Sequence, residues 1–214
     1  MLLDALAFLL PVPCVGCGVE GRMLCPACRS ALAPHPLVEV VADVGKVHAG
    51  LSYDGVARAA LLAFKEQGAT GLAGVLAVPF AVAVSAALVG DAAIVAVPSS
   101  RVAVRRRGYE PVRMLAARAG VRLTPAFAPA RATTAQKALG VADRRRNPAE
   151  AFALDRTVSG IRVLLVDDVL TTGATLAAAA GVLRAGGAEV VGAAVLAATP
   201  RRDGRSRGTP GIPS

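Results

Sequence analysis

Apolar positions along this chain fall into short unbroken or alternating runs and into longer stretches with helical spacing. The short runs predict strands at 47–53, 93–97, 151–154, 162–166 and 189–197. The longer stretches predict helices over 56–66, 70–88, 109–119 and 174–185, the last one ended by Gly186-Gly187. A further apolar stretch at 2–10 reads as a short helix. Strands and helices that alternate with short connections predict an α/β fold: a parallel sheet flanked by helices, covered on both faces. In such sheets a ligand binds beyond the carboxyl ends of the strands.

Three segments break this rhythm. Pro34-His35-Pro36 reads as a linker, and 128–150, with few periodic apolar positions, reads as a mobile flap. The tail over 200–214 is rich in Arg, Gly and Pro and is expected to be disordered. The predicted organisation is therefore an N-terminal module at 1–33, a main domain at 45–198 and a basic tail.

Composition sharpens the picture. The chain has 214 residues, 54% apolar but only 3% aromatic, so its core must be built largely from Ala and small aliphatic residues. The stretch 72–90 is long enough to raise the question of a membrane span, but Pro79, Ser85 and its many Ala residues favour a buried helix. Met1-Leu2-Leu3-Asp4 lacks the positive start of a signal peptide, and a cytoplasmic location is expected.

The net charge of +9 is concentrated in one place, because residues 101–146 hold twelve Lys or Arg against Glu110 and Asp143. The triplets Arg105-Arg106-Arg107 and Arg144-Arg145-Arg146 give a cationic device that could neutralise a pyrophosphate or grip a nucleic-acid backbone.

The cysteines are as concentrated as the charge. Cys14-x-x-Cys17 and Cys25-x-x-Cys28 make two knuckles whose thiolates can complete a tetrahedral S₄ site suited to Zn²⁺. Disulfides would need an oxidising compartment, and a redox C-x-x-C would need only one pair. With no further Cys or obvious His ligand to suggest an open position, a structural zinc is expected. His35 and His48 have no partners at ligand spacing.

The most specific stretch is 163–175. Val163-Leu164-Leu165-Val166 reads as a buried strand, Asp167-Asp168 stands at its end, and Thr171-Thr172-Gly173-Ala174-Thr175 opens a helix. A helix N-terminus attracts anions through its unpaired N–H groups, and Gly173 permits close approach. Two carboxylates cannot bind phosphate, but they can accept hydrogen bonds from ribose hydroxyls or hold the water shell of Mg²⁺. The sequence thus points to a sugar phosphate. A second strand end, at Pro98-Ser99-Ser100-Arg101, offers another anion loop.

The run 163–175 closely resembles the phosphoribosyl diphosphate (PRPP) motif of type I phosphoribosyltransferases. The resemblance implies a fold of that type, with Asp167 and Asp168 as the catalytic pair on the ribose. Residues 171–175 would hold the 5′-phosphate, and Ser99, Ser100 and Arg101 would form the pyrophosphate loop. Joined to a C-x₂-C…C-x₂-C module, the whole is similar to the ComF family. Tyr53-Asp54-Gly55, Lys65, Val97-Pro98, Arg107-Gly108-Tyr109, Gln136, Arg144-x-x-Asn147 and Ala151-Phe152 carry that likeness. It implies a role in natural DNA uptake, with single-stranded DNA and a competence helicase or motor as partners.

Two departures stand out. The family usually continues Arg-Gly-Phe-Asn-Gln, where this chain has Tyr109-Glu110-Pro111, and Ala96 replaces one of two usual prolines. Three functions compete: a transferase acting on PRPP with Mg²⁺, a non-catalytic DNA-binding adaptor, and a PRPP sensor. In the second, Arg105, Arg106, Arg107 and Arg144 would contact nucleic acid; in the first, pyrophosphate.

Overall fold

A computed structural model describes residues 12–127, 153–154 and 158–200, apart from the Arg101 side chain. The expectations at 2–10 and 128–150, that for the tail beyond 200, and Arg144 lie outside the described residues, as does half of the predicted strand 151–154. Among the described residues, five strands form one sheet: β1 (Leu37–Val41), β2 (Gly45–Ser52), β3 (Ala93–Ala96), β4 (Arg162–Leu170) and β5 (Glu189–Ala198). Their order is β1-β2-β5-β4-β3. The β2–β5, β5–β4 and β4–β3 pairs are parallel, and β1 joins β2 antiparallel.

The helices are α1 (Pro26–Ser30), α2 (Gly55–Glu66), α3 (Ala73–Ala87, led in by a 3₁₀ turn at Thr70–Leu72), α4 (Arg101–Arg107), α5 (Pro111–Ala119) and α6 (Ala174–Ala185). The α/β fold with a mostly parallel, helix-flanked sheet is as the sequence predicted.

Two cores explain why β4 begins with an unbroken apolar run. Leu164 and Val166 face the core formed with α2, α3 and α5, whereas Val163 and Leu165 face the core formed with α6. A strand covered on both faces has no solvent side on which to place polar residues. The stretch 72–90 is accordingly a core helix: Leu76, Phe80, Ala83 and Val84 of α3 are buried. Gly50 lets α3 lie close on the sheet, since a Cβ there would stand 2.1 Å from the Pro79 carbonyl oxygen.

Three features differ from the sequence reading. The Pro34-His35-Pro36 segment is tied to the sheet by His35 N–H donating to Gly50 O at 2.8 Å, and a strand that the reading did not include, β1, follows it directly. Its Leu37-Val38-Glu39-Val40-Val41 sequence is mostly β-branched, so the proline signal hid a true edge strand. The basic run 101–107 is a helix, capped by Ser100 Oγ accepting from Ala103 N–H at 3.2 Å. Finally, β4 continues through the acidic pair to Leu170, because β5 offers ladder partners as far as Ala198.

Candidate functional site

The last turn of α2 supplies three consecutive residues, each with a different task. Phe64 is fully buried, and its carbonyl oxygen, one of the helix's terminal acceptors, accepts from the Tyr109 hydroxyl. Burial raises the pKa of that phenol, which keeps it a donor. Lys65 Nζ reaches Asp168 Oδ1 at 2.9 Å across the sheet end. Glu66 accepts from Arg107 at 3.0 Å and also from Arg106. Helix α2 is thereby joined at its carboxyl end to β4 and to the α4–α5 region.

A cavity of about 360 Å³ opens between these elements. Asp167 and Asp168 form one wall, with Lys65 beside them. Ser99, Ser100 and Arg107 line a second side, and Thr171 and Thr175, around the start of α6, line a third. Gly173 is the N-cap of α6 at φ +84°, a conformation that favours glycine, and a Cβ there would also stand 2.6 Å from Val41 Cγ1. The unforeseen strand β1 therefore backs the very loop that opens α6. Thr172 Oγ1 accepts from Ala174 N–H at 3.4 Å.

The structure thus draws Asp167, Asp168, Thr171, Thr175, Ser99, Ser100 and Arg107 to one cavity. Thr172, Gly173 and Ala174 shape the adjoining turn without lining it, and Arg101 is the first residue of α4. Arg105 and Arg106 are exposed outside the cavity. Lys65 was singled out from the sequence only as a family-like residue, without a partner, and Glu66 was given no role. A lysine in the last helical turn reads as a complement to the helix dipole, and that reading masks its partner on β4. At the altered positions, Glu110 pairs with Arg113, and Pro111 is the first residue of α5. Both serve the start of that helix.

The electrostatics of the acidic wall are uneven. Burial, together with the neighbouring Asp168 charge, pushes the Asp167 carboxyl up to about 8, although Asp168 N–H donates to its Oδ1 at 2.8 Å and Lys65 stands nearby. A folded-state pKa above the usual 3.8 stabilises the fold fully below pH 3.8, and that contribution is lost as pH rises through about 8.

The four cysteines converge on a single point. Their Sγ atoms all lie within 4.8 Å of one another, and none forms a disulfide. Thiolates around tetrahedral Zn²⁺, at about 2.3 Å from the metal, stand about 3.8 Å apart; Cys17 Sγ and Cys25 Sγ are 3.7 Å apart. Backbone N–H groups of Cys25 and Cys28 donate to Cys14 Sγ and Cys25 Sγ, both at 3.4 Å. Such donors stabilise thiolates. The set fits a metal ion such as zinc. Cys14, Cys25 and Cys28 also belong to the same apolar core as Ala57, Leu61 and Phe64 of α2.

Comparison with known proteins completes the description. Residues 75–210 match the family model of the phosphoribosyl transferase domain. The chain belongs to that family. Its relatives include the adenine phosphoribosyltransferase of Frankia casuarinae, 57% identical over 56 residues, 26% of this chain and 30% of the relative. The DNA utilization protein YhgH of Salmonella typhimurium is 44% identical over 61 residues, 28% of this chain and 27% of the relative. The adenine phosphoribosyltransferase of Treponema pallidum is 69% identical over 35 residues, 16% of this chain and 18% of the relative. This phosphoribosyl transferase domain protein thus spans under a third of the length of each of these relatives. The YhgH relatives, the domain and the four-Cys cluster together bear out the resemblance to the ComF family.

Two outcomes follow from this geometry. Purified protein should hold close to one zinc per chain, and Cys14→Ser should release it and lower Tm by more than about 5 °C; metal-free native protein with an unchanged Tm would contradict the fit. Asp167→Asn should raise stability to urea by more than about 1 kcal/mol at pH 9 and by much less at pH 5. Equal gains at both pH values would show that Asp167 is not held protonated in the fold.

Proposed function

We propose that the cavity binds PRPP together with Mg²⁺, and that this chain acts in DNA uptake. The observation that carries the reading is the cavity itself: two adjacent carboxylates, an N-terminal helix turn with hydroxyls, and a Lys–Arg–Ser side surround one space. Asp168, and Asp167 once the ion displaces its proton, accept from the ribose hydroxyls and hold the hydrated Mg²⁺, which supplies charge neutralisation at the diphosphate. Residues 171–175 hold the 5′-phosphate at the start of α6. Ser99, Ser100 and the Arg101 N–H at the start of α4 face the pyrophosphate, with Arg107 beside them.

The same arrangement suits phosphoribosyl transfer. The C1–O bond to pyrophosphate breaks, pyrophosphate leaves with the electron pair, and an acceptor nucleophile bonds to C1. Lys65 and Arg107 stabilise the departing charge. Two relatives named adenine phosphoribosyltransferase support this chemistry, without naming the acceptor for this chain.

A nucleic-acid role rests on a separate observation. Helix α4 exposes Arg105, Arg106 and Val102, the last at 79%. With few aromatic side chains for base stacking, single-stranded DNA would be held mainly through its phosphates. Relatives named DNA utilization protein support that reading; a cytoplasmic location and a competence helicase or motor as partner belong to the same proposal.

Calorimetry with PRPP and Mg²⁺ tests the site. The native chain should bind near one to one, and Asp167→Asn/Asp168→Asn should weaken binding at least about tenfold; indistinguishable binding by the two proteins would overturn the assignment. For DNA, log K should fall steeply with log salt, and Arg105→Ala/Arg106→Ala should make the slope shallower by about 1–2. Salt-insensitive binding would exclude phosphate contacts as its source.

A further inference from the structure

Among the described residues, one buried side-chain nitrogen or oxygen has no hydrogen-bond partner, Arg107 Nε. An orphaned donor of this kind is costly, and native structures rarely keep one without a purpose. Arg107 lines the cavity, its side chain only 12% exposed. Its other contact is Nη2 donating to Glu66 Oε1 at 3.0 Å. Glu66 Oε2 is taken by Arg106, whose side chain is 65% exposed. One carboxylate therefore holds two guanidiniums, one lining the cavity and the other facing solvent. Glu66 itself sits next to Lys65 at the carboxyl end of α2, and Tyr109 fastens that end through the Phe64 carbonyl.

We infer that Glu66 is a positioning residue: by holding Arg107 Nη2 it fixes the guanidinium against the cavity wall, where that side chain meets the pyrophosphate end of the ligand. The inference deepens the reading of the cavity as a PRPP site and rests on it. Arginine suits this task because its guanidinium forms a planar fork, so one edge can be held by a carboxylate while another donor meets an anion. Arg106 draws on the same carboxylate from outside. A polyanion bound on α4 would take Arg106 away and leave Glu66 wholly to Arg107. That links the exposed basic helix to the cavity through a single side chain.

Charge and positioning predict opposite signs, which makes the inference testable with inorganic pyrophosphate and Mg²⁺ in calorimetry on the full chain. Glu66→Gln removes a negative charge beside an anion site, and charge alone would tighten binding. Positioning predicts instead that Glu66→Gln weakens binding by about tenfold with little change in Tm. Arg106→Gln removes a positive charge, yet should bind pyrophosphate no more weakly than the native chain, because Glu66 still holds Arg107. Ribose 5-phosphate, which lacks the diphosphate, should bind equally well to all three proteins.

Unchanged or tighter pyrophosphate binding by Glu66→Gln would overturn the inference while leaving the cavity assignment intact. Equal weakening by Arg106→Gln and Glu66→Gln would do the same, since it would point to a general disturbance of α4. Failure of the native chain to bind either ligand would overturn both this inference and the PRPP reading.

Discussion

The ion pair between Lys65 and Asp168 is the contact on which the cavity is built. Two neighbouring carboxylates near the end of a covered strand repel each other and lose hydration, and the rise at Asp167 expresses that. A single ammonium, 2.9 Å from Asp168, lets the pair persist inside the fold. Because the lysine belongs to α2, the position of α2 becomes a condition for the site. The rest of the molecule can be understood as fixing that helix. Its flank packs in the core shared with α3 and α5, its start adjoins the cysteine knuckles, and its end is tied by Tyr109.

The same arrangement explains how few side chains separate two very different surfaces. Inside stands a cavity with both signs of charge, suited to a sugar phosphate. Outside, a helix of one sign faces solvent. Lys65 and Glu66 are adjacent in sequence but serve opposite partners, an acid on β4 and bases on α4. A helix end suits such a division, since consecutive side chains leave it about 100° apart.

Much of this was legible in the chain, and the reason is local. The unit from β4 to α6 carries its own signals: a buried strand, an acidic pair, a turn glycine and an Ala-rich helix whose bounds the periodicity gave directly. The cysteine pairs were equally plain, because ligand spacing is a property of short segments. What stayed hidden depends on distant residues. Strand β1 was masked by prolines and is established by pairing with β2. The length of β4 is set by β5, since no residue within 167–170 announces that the ladder continues past two carboxylates. The roles of Lys65 and Glu66 could not be read from α2 alone, where both look like ordinary solvent-facing charges at a helix end. Their partners lie some forty and a hundred residues further along.

The shared core of the cysteine knuckles and α2 carries a consequence for how this architecture can change. Gly16 is pressed so closely between Cys28 Sγ and Val56 that any larger side chain would collide with both. The small sulfur-rich lobe is thus moulded onto the helix that supplies Lys65 to the cavity. A larger residue at position 16 would press at once on the knuckle that carries Cys28 and on the start of α2, so a change in the lobe is felt by the helix that carries Lys65.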